Sequence, residues 1–115
     1  MTRLVNARNG AVLAERVETA GSLWERLRGL LGRPGLPPGD ALRIEPCTSI
    51  HTFFMRFPID AAFLRGDGTV LRAISDLRPF RATRIYPAAA MVVELPAGTL
   101  GRTGTVAGDL LAFTN

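Results

Sequence analysis

Short apolar runs separated by turn residues dominate the chain, a pattern that predicts strands in preference to helices. Arg3-Leu4-Val5 and Ala11-Val12-Leu13 flank Asn9-Gly10, a dipeptide that supplies the positive φ angles of a tight two-residue turn, so a β-hairpin is expected first. Ser22 followed by Glu25 forms a capping box, and Leu23, Leu27, Leu30 and Leu31 recur at helical spacing. One short helix is expected there, ended by Gly32 and Pro34. Gly35 to Gly39, with two prolines and two glycines in five residues, is expected to be a loop.

From Ala41 onward the pattern is that of strands: Ala41 to Glu45, Thr48 to Met55, and Ile59 to Leu64. Gly66-Asp67-Gly68 turns the last of these back into Thr69 to Ile74 as a second hairpin. Ser75 to Ala88 is irregular, Met91 to Leu95 restarts a β-rich run, Gly101 and Gly104 mark turns, and Asp109 to Phe113 closes the chain. Seven or eight short strands and one helix predict a mostly β fold at the α+β border: an antiparallel β barrel or sandwich, one domain over residues 1–115.

The size suits this reading, since 115 residues make one ordinary domain. Apolar residues at 47% and charged residues at 21% exclude a wholly disordered chain. No uncharged apolar stretch approaches the roughly 18 residues of a membrane helix, and Met1 to Val5 lacks the apolar core of a signal peptide, so no membrane insertion and a cytoplasmic location are expected. The formal charge of +4 comes entirely from arginine on the basic side, for lysine is absent; binding to phosphate would need those arginines on one face.

Chemically versatile side chains concentrate in Cys47-Thr48-Ser49-Ile50-His51-Thr52-Phe53-Phe54-Met55, which holds the sole cysteine and the sole histidine. A Cys47/His51 nucleophilic pair requires hydrogen-bond contact, yet residues four apart in a strand are separated by about 13 Å. Cys47, His51 and Met55 would suit monovalent copper chemically, but the same spacing spreads them too far to share an ion, so no metal and no cofactor are expected. Cys47, Phe53 and Met55 suit core packing, whereas a buried neutral His51 would need two hydrogen-bond partners. Among carboxylates, Glu94 in Met91-Val92-Val93-Glu94-Leu95 is costly to bury alone, so it either faces solvent by alternation or pairs with an arginine, and pairing is expected. Asp109 after Gly108 suits turn chemistry, and Asp60 is either ligand-facing or a loop anchor.

Arg28-Gly29-Leu30-Leu31-Gly32-Arg33, the block His51-Thr52-Phe53-Phe54-Met55-Arg56-Phe57-Pro58-Ile59-Asp60-Ala61-Ala62-Phe63, Val93-Glu94-Leu95-Pro96-Ala97-Gly98 and Gly108-Asp109 together resemble the domain-of-unknown-function 192 family over nearly the whole chain. Leu31 stands where a methionine is common, and the export signal of many relatives is not expected at Met1 to Val5. The resemblance implies a small β-rich domain with one or two short helices and no established activity.

The leading expectation is a non-catalytic ligand-binding or accessory module for a small molecule or protein partner. Its site would draw on His51, Phe53, Met55, Arg56, Asp60, Arg28, Arg33 and Glu94, polar groups among aromatics as in an apolar-walled pocket. One alternative is a small enzyme with His51 as base and Asp60 or Glu94 as orienting acid; a bend at Pro58 would return Asp60 toward His51. Another, less favoured, is single-stranded nucleic-acid binding through Arg72, Arg78, Arg81 and Arg84 around Phe80 and Tyr86.

Overall fold

The computed structural model describes residues 2–115, apart from the side chains of Leu23, Trp24 and Leu27. The chain runs β1 (Arg3–Asn6), β2 (Val12–Ala14), β3 (Arg16–Ala20), α1 (Leu23–Arg28), β4 (Asp40–Ile44), β5 (Ile59–Leu64), β6 (Val70–Leu77), β7 (Met91–Pro96), α2 (Thr99–Thr103) and β8 (Leu111–Thr114). These form a three-stranded sheet, β2-β1-β8, and a five-stranded sheet, β3-β4-β7-β5-β6. The fold is mostly β and sandwich-like, of the expected class. One pairing departs from it: β3 and β4 run parallel, because the segment from Gly21 to Gly39, with α1 in it, is long enough to act as a crossover.

The larger sheet is covered on both faces, which explains why β5 and most of β7 are continuously buried. Ala41, Ala62, Leu64, Val93 and Leu95 pack against Leu4, Leu13 and Leu111 of the smaller sheet and Leu100 of α2. Leu42, Ile44, Ile59, Ala61, Phe63 and Val92 face the other way, under Leu30 and the loops that carry Cys47, Ile50, Met55 and Tyr86. Among the described residues no helix is long and apolar enough to cross a membrane.

Local chemistry revises several expectations. The first hairpin forms, but through a longer loop: the Asn6 amide donates to the Ala11 carbonyl at 2.8 Å, and of the Asn-Gly pair only Gly10 has positive φ, at 75°. Asn9 instead ties the loop to the Thr103 carbonyl. The capping box is present, with Ser22 Oγ accepting from the Glu25 amide and Glu25 Oε1 from the Ser22 amide, both at 3.1 Å. The helix ends at Gly29, with φ 50°, before Leu30 and Leu31, which pack as loop residues; the side chains of Leu23 and Leu27, the rest of the expected stripe, lie outside the described ones. Thr48 to Met55 is not a strand. Phe54 sits at φ 65°, which breaks extension, and Thr52 binds the neighbouring loop through its amide, carbonyl and hydroxyl, leaving only a bridge between His51 and Ala82.

Candidate functional site

Strand alternation sends Met91, Val93 and Leu95 of β7 toward the smaller sheet and leaves Val92 and Glu94 on the opposite face. Glu94 stands between Leu42 of β4 and Ala61 of β5, beneath the C-terminal end of α1. Gly29 passes so close that a Cβ there would lie 3.8 Å from Glu94 Oε1. Glu94 is 3% exposed, and its Oε1 has no hydrogen-bond partner. Burial therefore raises its pKa to about 7, against a weaker downward pull from Arg33.

Among the described residues no arginine pairs with Glu94: Arg33 pairs with Glu18 at 2.7 Å, Arg43 lies on the opposite face of β4 over the Phe113 ring, and Arg26 donates to the Gly21 carbonyl. Glu94 opens instead onto a cavity of about 160 Å³. Leu30, Leu31, Ile44 and Ile50 make its apolar walls, and Arg26, Arg28, Cys47, Ser49 and His51 contribute polar groups. This matches the general form of a ligand site, apolar walls with a few convergent polar groups, at a size suited to a compact ligand.

His51 is exposed, its ring stacked on Phe53 at 5.3 Å between centroids. Its Nδ1 accepts from the Phe53 amide at 3.3 Å, which leaves the neutral ring with a donor at Nε2. The Cys47 thiol donates to the Ser49 carbonyl at 3.1 Å, and burial raises its pKa. Neither contact is the Cys–His bond of an activated nucleophile.

Of the residues singled out in the sequence, Arg28, His51 and Glu94 line this cavity. Asp60 does not join them: its Oδ1 accepts from the Asp76 amide at 2.9 Å and its Oδ2 from the Leu100 amide at 2.8 Å, on the face toward α2. It is the loop anchor, and the bend at Pro58 does not return it to His51. Met55 is core, Arg56 is exposed away from the cavity lining, and Phe53 touches the site only through His51. Ser49 and Ile50 belong to the Cys47 to Asp60 segment expected to form the site, whereas Arg26 and Gly29 carry no site signal of their own in the sequence. Arg26 and Gly29 are three apart at the helix end, a spacing that could have signalled a shared face.

A larger, shallower groove of about 750 Å³ runs between β2 and the start of α2. Its charged side chains Glu15 and Arg16 are held in pairs with Arg3 and Asp40. In the arginine-rich loop, Phe80 at φ 63° meets Phe54 edge-on at 5.6 Å, both exposed, whereas Tyr86 packs on Phe63 of the core and is lost to any stacking surface.

The model of the family DUF192, described as an uncharacterized ACR, matches residues 4–113. No curated protein matches the chain. Among solved structures, the chain is 27% identical to a protein of Sinorhizobium meliloti 1021 described as a "putative transcription regulator", with a TM-score of 0.81, covering 97% of this chain and 91% of that one. A protein of unknown function from Novosphingobium aromaticivorans DSM 12444 is 20% identical with a TM-score of 0.82, covering 96% of this chain and 82% of that one.

Proposed function

We propose, from the premise that this chain belongs to the DUF192 family, that it is a non-catalytic module that seats a compact small molecule in the cavity over Glu94. The observation that carries this reading is the orphaned Glu94 Oε1, buried at a cavity that also holds Arg28 and His51. An unpaired buried acceptor is costly, and a ligand with a hydrogen-bond donor removes that cost on binding. The non-catalytic half is supported by Cys47 and Asp60, whose hydrogen bonds go to backbone groups, and by His51, whose Nδ1 is taken by the Phe53 amide and not by a carboxylate.

Amide chemical-shift mapping with a library of small polar fragments tests the site. Saturable shifts are expected at Gly29, Ser49, Ile50 and His51, weakened in His51→Ala. Fragments that bind only elsewhere would refute it.

A second reading is favoured by the exposed Phe54–Phe80 pair beside Arg78, Arg81 and Arg84, and by the description of the Sinorhizobium relative. Here the loop binds single-stranded nucleic acid by stacking. A labelled oligonucleotide would then bind tightly, with affinity lost in Phe80→Ala. Weak binding that salt alone abolishes would reflect charge only.

A further inference from the structure

Two kinds of charge border the cavity over Glu94. The floor is the buried carboxylate with its orphaned oxygen. Arg26 and Arg28, in the last turn of α1, line the same space. Arg26 donates to the Gly21 carbonyl at 2.8 Å, and among the described residues neither arginine forms an ion pair. The same cavity is also lined by aliphatic Leu30, Ile44 and Ile50.

Resting on the binding reading above, we infer that the cavity selects compact bipolar molecules, with an ammonium group for Glu94 and an oxyanion for Arg26 and Arg28. An ammonium ion brings three donors to a carboxylate that has an unused acceptor, and attraction between opposite charges is strongest where water is excluded. A simple amine would meet uncompensated guanidiniums, and a simple anion would meet the carboxylate. Only a molecule with both ends satisfies both. The volume of about 160 Å³ limits the body between the ends to a few methylene groups, which suit aliphatic walls. The oxyanion can be the carboxylate of an amino acid or the phosphate of a phosphorylated amino alcohol.

Amide titrations with β-alanine, O-phosphoethanolamine, propylamine and propionate test the class on the intact chain. Both bipolar probes are expected to bind about tenfold or more tightly than either single-ended one, the range of one charge-assisted hydrogen bond. Glu94→Gln should reduce β-alanine to the level of propionate, and Arg28→Gln, an exposed change that leaves the core alone, should weaken both bipolar probes. The tighter of the two bipolar probes identifies the oxyanion. If propylamine or propionate equals them, or only neutral fragments bind at Gly29, Ser49, Ile50 and His51, the bipolar class is overturned while the cavity reading stands. If no probe or fragment shifts those amides, both fall.

Discussion

Cys47 shows how burial, not residue type, decides chemistry at the residue scale. Its thiol is half-buried against Ile50 and Phe63, donates to Ser49, and has its pKa raised chiefly by burial. Modification by a disulfide reagent at neutral pH is expected to be slow, and equally slow in His51→Ala. Fast labelling that depends on His51 would mean an activated thiol. Sequence spacing denied the Cys47–His51 pair by placing both in one strand; the structure places both in a loop, where the bonds to Ser49 and Phe53 keep them apart. The four apolar neighbours of Glu94 mark it as an acid that must face solvent or find a partner, and the structure gives it neither. Its want of a partner is not legible, because that depends on tertiary placement: Glu18 holds Arg33, and strand alternation turns Arg43 to the opposite face.

Elements announced themselves in sequence where breakers bounded apolar runs. Ile59 to Leu64 was read with its observed boundaries, and Met91 to Leu95 to within one residue, since a strand covered on both faces has no polar alternation to blur it. β3 went unread because Arg16-Val17-Glu18-Thr19-Ala20 is an edge strand with only Ala20 buried. The sequence of α2 reads as turns, because its five residues hold Gly101 and are flanked by Gly98 and Gly104. Two side chains pin such weakly coded elements. Asp60 joins β5 to the Asp76 backbone, at φ 53°, and to α2, so Asp60→Ala leaves two amides without an acceptor. A loss of about 2–4 kcal/mol in urea melts is expected, and a loss under about 1 kcal/mol would deny it the anchoring role. Ser22→Ala removes half of the capping box and should cost about 1 kcal/mol. Hydrogen exchange at Arg26 and Gly29, whose amides close α1, should accelerate while β5 and β7 stay protected.

The whole molecule holds two separate acids whose ionisation affects stability in opposite directions. Asp109 locks the end of the chain to its beginning: Arg8 donates to it at 2.7 and 3.0 Å, the Val106 amide at 3.0 Å and Asn6 at 2.9 Å. The Arg8 hydrogen bond first, then the Val106 amide and the Asn6 side chain, hold its carboxyl well below the usual 3.8. Its contribution to stability is therefore complete above that value and is lost as pH falls beneath it. Glu94 behaves in reverse. The unfolded chain releases this proton near 4.5 and the folded chain only near 7, so across that interval the folded state holds more protons and loses stability as pH rises. The full shift, from 4.5 to about 7, corresponds to about 3 kcal/mol. Stability is thus expected to peak in mildly acidic solution, near the lower end of the Glu94 interval. Urea melts from pH 2.5 to 8 check this: Asp109→Asn should flatten the acid limb, and Glu94→Gln the neutral limb, making that variant the more stable protein at pH 8. The two acids share no hydrogen-bond partner and point to different layers, so the double variant should show nearly additive changes. A wild-type curve that is level from 4.5 to 7, or a neutral limb that survives Glu94→Gln, would mean that Glu94 is not the buried proton carrier its surroundings make it.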